Sequence, residues 1–296
     1  MSKRWLIVGA ALAGLFTAGL APVQAAAEPT APQAAAAPAR NNSIDEPVYF
    51  LKGYSKGDPP GVNCGNYWGP ALKFFKVEGW RGPRHTVAFY ANDRNCSIRI
   101  ARGSTATSIR ELGRRLAWDI HRRYSTQGKS VDLIGHSMGG LIARAALTGV
   151  QKQLPGWPPY IYVEDVATLG APHDGMALGY FCLAAQLSRQ CKEMRPGSGF
   201  LDWTDENPQS AQGTDWTLIG ADDDGVVGWS ALRMRAGHRV WYTGNNAGWS
   251  HGALNDITTG TYAMIYENPP EVAQEKKEGA APVRAAMNSL YWWKNW

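Results

Sequence analysis

Gly135-His136-Ser137-Met138-Gly139 sets a serine between two glycines, each two positions away. A serine hydroxyl is a weak nucleophile until a base takes its proton and a third group orients that base. The Gly-x-Ser-x-Gly spacing supplies presentation. At a sharp strand-to-helix turn the backbone passes so close that only glycine fits on both flanks, and the hydroxyl stands above the sheet at a helix N-terminus. Free N–H groups and positive potential there favour a developing oxyanion. The surroundings agree. Val131-Asp132-Leu133-Ile134 before the motif reads as a strand, and the Ala-rich run from Leu141 to Val150 reads as a helix. Without that context the same residues would be only a glycine-rich turn. Ser137 is the expected nucleophile.

Serines presented in this way take an acid and then a histidine from further along the chain. Of the six histidines, His85, His121 and His136 precede Ser137. His173 comes before any acid that follows a later strand, and His238 opens a strand-like stretch and reads as structural. His251 lies in the loop 245–252, just beyond a strand, and is the expected base. The strand Trp216–Gly220 is followed by Asp222, Asp223 and Asp224. Gly225 and the apolar Val226-Val227 turn the chain back into the protein after Asp224, which favours Asp224 as the acid; Asp222 and Asp223 stay open as alternatives. The unused aspartates read as solvated turn residues, or as oxygen ligands for calcium, although no calcium-loop pattern accompanies them. The oxyanion donors are expected to be backbone N–H groups. One is Met138, after the nucleophile; the other is Tyr54, with Gly53 as the fallback, in the loop that follows the first strand. This chemistry requires no cofactor and no metal.

The elements that must hold these residues alternate. Strand patterns run over Val48–Leu51, His85–Tyr90, Ser130–Gly135, Ile161–Leu169, Trp216–Gly220 and Arg239–Thr243. Helical patterns run over Trp68–Glu78, Ser104–Tyr124 with Ser104 as its cap, Leu141–Val150, and the segment from Pro282 onward. Such alternation predicts an α/β fold: a mostly parallel central sheet with helices on both faces. Residues 174–213 break the pattern. They read either as a lid or substrate wall over the sheet's C-terminal edge, or as a plain surface insertion. The aromatic tail 291–296 reads first as packing of a terminal helix and second as a transient contact with a lipid interface.

Composition sets the outer limits. The 296 residues, 44% hydrophobic, suffice for one large domain, expected at 46–296. Lys3 and Arg4 precede an apolar run from Trp5 to Leu20, and small residues follow at Ala25–Ala27. This predicts a signal peptide over 1–27, cleaved near Ala25–Ala27, and a secreted protein. The run is shorter than the ~20 residues a membrane anchor needs. Residues 28–45, rich in Ala and Pro, read as a flexible tether. The formal charge of +5 is small and dispersed, and the basic cluster from Arg110 to Arg123 falls at helical spacing, so no nucleic-acid partner is expected. Four cysteines in an oxidising compartment suggest two disulfides, with Cys64–Cys96 and Cys182–Cys191 preferred. None has a CxxC spacing, which disfavours zinc. No oligomeric state is specified by the sequence.

With these residues in place, the chain resembles secreted bacterial lipases and esterases of the α/β-hydrolase superfamily, from about Pro47 to about Thr259. The likeness rests on VDLIGHSMGGLIAR around Ser137, VATLGAPHDG at 166–175, IGADDDGVV at 219–227 and SHGALND at 250–256. It implies the α/β-hydrolase fold, with Asp224 as acid and His251 as base, and places His173 beside the active site as a residue that shapes the pocket. It also implies a small-molecule or lipid ester substrate, cleaved through an acyl-enzyme. The same three residues could serve an acyltransferase, amidase or peptidase, and a non-catalytic binding protein on the same fold is the remote alternative. One departure stands out: the family's His-Gly at the oxyanion loop is Lys52-Gly53 here.

Overall fold

The computed structural model describes residues 37–296, apart from 58, 177–187, 245–248 and 292–294. Among the described residues nine strands form one sheet, in the order β3-β2-β1-β4-β5-β6-β7-β8-β9. Strands β1 (Val48–Leu51), β2 (Arg84–Tyr90), β3 (Ile98–Gly103), β4 (Val131–His136), β5 (Val163–Leu169), β6 (Asp215–Ala221) and β7 (His238–Tyr242) run parallel. Strands β8 (Thr261–Glu267) and β9 (Gln274–Ala280) close one edge in antiparallel pairing. The helices are α1 (Cys64–Tyr67), α2 (Gly69–Val77), α3 (Ile109–Arg123), α4 (Met138–Gln151), α5 (Arg189–Glu193), α6 (Gly199–Trp203) and α7 (Pro282–Tyr291).

Strand β1 has no exposed residue, as a parallel strand covered on both faces should. Tyr49 and Leu51 join one apolar cluster with α3 and α4. Val48 and Phe50, one residue out of phase, join the other with α2 and α7. Helices therefore cover both faces, as the alternating pattern predicts. The chain moves outward from β1 to β2 and β3, then returns to pair β4 on the other side of β1. The switch point thus lies beyond the C-terminal ends of β1 and β4, where open parallel sheets bind ligands.

The remaining differences have local causes. Helix α3 starts at Ile109 and is capped by the hydroxyl of Ser108, not Ser104, whose carbonyl instead closes a turn with the Thr107 amide. Strand β9 is missed by periodicity because Gln274-Glu275-Lys276-Lys277-Glu278 is exposed throughout; charge suits an edge strand, where burial sets no alternation. The end of the expected tether is engaged: Arg40 pairs with Asp165 at 2.6 Å, and the Asn41 and Asn42 amides donate to Glu164 at 2.7 and 2.8 Å. Packing therefore begins before residue 46. The expected signal peptide lies outside the described residues. No helix among the described residues is long and apolar enough to cross a membrane. A Cys64–Cys96 disulfide ties α1 to the segment after β2. Cys191 is disulfide-bonded as well; its expected partner Cys182 lies outside the described residues. Trp296 is buried and donates through Nε1 to Asn268.

Arg40 reaches an acidic group near the start of β4 and β5. Asp132, Glu164, Asp165 and Glu46 are all buried, and Asp132 Oδ2, Glu164 Oε2 and Asp165 Oδ2 have no hydrogen-bond partner. Carboxylates are costly out of water, and burial raises Asp132, Glu46 and Asp165 above the ordinary carboxylate range, Asp165 to about 8. Burial and the charge of the neighbouring Glu164 push Glu46 up to about 7. Burial and the charge of Asp165 raise Asp132 well above the ordinary carboxylate range. A folded-state value above the unfolded one makes this stabilisation complete below about pH 4 and lost as pH rises toward neutrality and beyond. Asp132→Asn keeps an acceptor for the Asp165 amide and cannot ionise. It is expected to raise the unfolding temperature by roughly 2–4 °C or more at pH 8 and to leave it nearly unchanged at pH 4. Melting curves of both proteins across that range check the sign.

Candidate active site

Ser137 sits between β4 and α4 with φ 56° and ψ −130°, a strained conformation for a residue with a side chain. Packing holds it there. A Cβ on Gly139 would lie 2.0 Å from the Leu51 carbonyl oxygen, and one on Gly135 would lie 2.5 Å from the Gly140 nitrogen. Both flanks therefore need glycine, as the motif predicts. The Ser137 amide donates to the Leu169 carbonyl at 2.9 Å, which anchors the turn to β5.

Three side chains from distant segments meet at this turn. Ser137 Oγ lies 2.7 Å from His251 Nε2, and His251 Nδ1 lies 2.8 Å from Asp224 Oδ2. All three residues are buried. Asp224 follows β6, and its Oδ1 accepts from the amides of Val226 at 3.0 Å and Val227 at 3.1 Å. Burial pushes the Asp224 carboxyl up; the His251 hydrogen bond and charge, with those two amides, outweigh it and hold the group below its ordinary value. An ionised Asp224 only accepts, so His251 Nδ1 carries the proton and Nε2 is free to receive one from serine. The neighbouring aspartate is used differently: Asp222 accepts from Trp241 Nε1 at 2.8 Å and from the Gly244 amide at 3.2 Å. Among the described residues no group of three or more His, Cys, Asp or Glu is arranged to hold a metal.

The loop after β1 forms the opposite wall. Lys52 is fully buried, with Nζ 3.1 Å from Asp93 Oδ2 and 3.4 Å from the centre of the Phe89 ring. Burial lowers its pKa to about 7 against the pull of Asp93. The same carboxylate accepts from the amides of Phe89, Tyr90 and Val62. An ion pair thus braces this loop. The Gly53 amide, the fallback oxyanion donor, is committed to Tyr67 Oη at 2.9 Å. Met138 opens α4, where first-turn amides have no carbonyl four residues back.

A cavity of about 150 Å³ lies over Ser137, lined by Gly53, Tyr54, Tyr67, Met176, Met194 and Val226 together with His136, His251 and Gly252. Met176 and Met194 come from the segment expected to be an excursion, whose middle, 177–187, is outside the described residues. His173 is not among the lining residues. It is buried, with Nε2 3.0 Å from Thr168 Oγ1 and its ring edge against Trp216. Its resemblance-based place in the pocket is thus corrected, because the turn packs it into the core. Sequence reasoning also passed over Tyr67 and His136, which join the two walls. His136 carried a signal, since it occupies the motif's variable position; Tyr67 carried none.

A family model described as a PGAP1-like alpha/beta domain matches residues 79–191, a span that holds Ser137 but neither Asp224 nor His251. No curated protein matches the chain. Among solved structures, Bacillus licheniformis lipase BlEst2 in its mature form is 17% identical, over 75% of this chain and 91% of that one, with a TM-score of 0.47. Its propeptide form is 17% identical over 74% of this chain and 49% of that one, at 0.46. Aspergillus fumigatus lipase B is 14% identical over 71% and 49%, at 0.49. The chain therefore spans about half the length of the latter two. A mostly parallel sheet covered on both faces, with a strained serine turn at its switch point, gives this chain the α/β-hydrolase fold.

Proposed function

We propose that this protein is an exported serine hydrolase that cleaves carboxylic esters through an acyl-enzyme. The observation that carries the reading is the continuous hydrogen-bonded series from Ser137 Oγ through His251 to Asp224 at 2.7 and 2.8 Å. In the proposed mechanism His251 Nε2 takes the Ser137 proton as Oγ attacks the ester carbonyl. The Met138 and Tyr54 amides receive the oxyanion. His251 returns the proton to the leaving alcohol. A water then enters, gives its proton to His251 and attacks the acyl carbonyl; the Oγ–acyl bond breaks and His251 reprotonates the serine. Asp224 stays ionised and orients the ring throughout.

The apolar side chains of Met176, Met194 and Val226 around Ser137 suit an acyl chain, so a small-molecule or lipid ester is the proposed substrate class. Purified protein is tested against p-nitrophenyl esters of graded chain length, triglyceride emulsions and matching anilides. Turnover of the esters with little or none of the anilides is expected. Turnover of anilides without esters would replace this reading by an amidase or peptidase, and preference for emulsions would assign the excursion a role at lipid interfaces.

A further inference from the structure

Tyr67 and His136 stand between the two walls of the site, and neither has a role in the proton transfers above. Their hydrogen bonds run in one direction. The His251 carbonyl can only accept, so His136 Nε2, 2.8 Å away, donates to it. His136 is buried, and burial with the nearby His251 pushes its pKa down to about 3, so the ring is neutral. Its Nδ1 is then an acceptor and receives a hydrogen bond from the Tyr67 hydroxyl at 2.5 Å. Tyr67 Oη in turn accepts from the Gly53 amide at 2.9 Å.

The series thus begins on the loop that carries Tyr54 and ends on the backbone of His251. It passes under Ser137 through the residue that precedes it. Tyr67 is itself anchored from two sides. It lies three residues after Cys64, which is disulfide-bonded to Cys96, and its carbonyl accepts from Asn255 Nδ2 at 2.7 Å. Asn255 follows the 3₁₀ turn His251–Ala253 that carries the base.

From this geometry we propose that Tyr67 and His136 are positioning residues that hold the oxyanion loop and the base loop in register across the nucleophile. The proposal rests on the serine-hydrolase reading. Directing the Gly53 amide to Tyr67 settles the peptide orientation of the loop and leaves the following amide, Tyr54, to face a developing charge. Holding the His251 carbonyl fixes the backbone from which the base projects. Both effects act on the transition state and little on ground-state binding.

The test compares wild type, Tyr67→Phe, His136→Gln and His136→Leu on one short p-nitrophenyl ester, with active sites counted by fluorophosphonate titration. Per active site, Tyr67→Phe is expected to lose on the order of tenfold to a hundredfold in kcat with KM within about twofold. Affinity for a boronic acid that mimics the tetrahedral state should fall by a similar factor. His136→Gln, whose amide can donate to the His251 carbonyl while its oxygen accepts from Tyr67, should keep more kcat than His136→Leu. Wild-type kcat in Tyr67→Phe or His136→Leu, or a loss confined to KM, would overturn the proposal, as would Gln performing no better than Leu. Ser137→Ala separates the two claims: if it still takes up the fluorophosphonate, the underlying hydrolase reading fails, whereas its silence with an unimpaired Tyr67→Phe removes the positioning role alone.

Discussion

Ser137→Ala is expected to lower kcat for ester hydrolysis by at least about 10⁴-fold, with KM changed little. The remaining oxyanion donors and the cavity would still bind substrate, which is why a residual rate above that of water is expected. The fold should survive. The bonds that hold the turn are backbone ones, from the Ser137 amide to Leu169 and from the Gly140 amide to the Ser137 carbonyl, and neither uses Oγ. Unchanged melting with abolished turnover is therefore the expected pair of results. Retained turnover would move the nucleophile elsewhere.

Asp224→Asn is expected to cost roughly 10⁴-fold in kcat, although it removes no atom that touches substrate. The asparagine oxygen can keep the Val226 and Val227 amides, which turns its NH₂ toward His251 Nδ1. That nitrogen must then accept, the ring proton shifts to Nε2, and the base faces Ser137 with a donor where an acceptor is needed. Because the carboxyl is held below its ordinary value, its contribution to stability is present above pH 4 and lost as pH falls through the folded-state value. The kinetic defect should therefore be full at neutral pH. Asp222→Asn, which among the described residues loosens the Trp241 and Gly244 contacts, should stay within a few-fold of wild type. The reverse ranking would transfer the orienting role to Asp222. Steady-state kinetics of both variants at pH 7.5 decide it.

Much of this arrangement was legible in the chain itself. The serine turn is specified by short-range sterics, so Gly135 and Gly139 announce it. Strands β4 to β7 are short, mostly apolar stretches buried on both faces, and turn residues bound them in the sequence. Asp224 could be preferred over its neighbours because Val226 and Val227 pull the chain inward after it, and their amides are what its carboxylate accepts. Charged β9 and the short β3, with only Ile98 and Ala101 buried, had no such signature, because their pairing is settled by neighbours remote in sequence. The Lys52–Asp93 pair and the Tyr67–His136 contact were also invisible: they join residues 41 and 69 positions apart, and no local pattern records which polar groups will be buried together. The buried carboxyls of Asp132, Glu46 and Glu164 belong to the same class.

Fluorophosphonate labelling followed by peptide mass spectrometry bears most directly on the central claim, a serine at residue 137 activated by residues 251 and 224. The account predicts one adduct per chain, on Ser137, absent in Ser137→Ala and formed far more slowly in His251→Ala and Asp224→Asn. An adduct on another residue, or equal labelling rates in all four proteins, would contradict it.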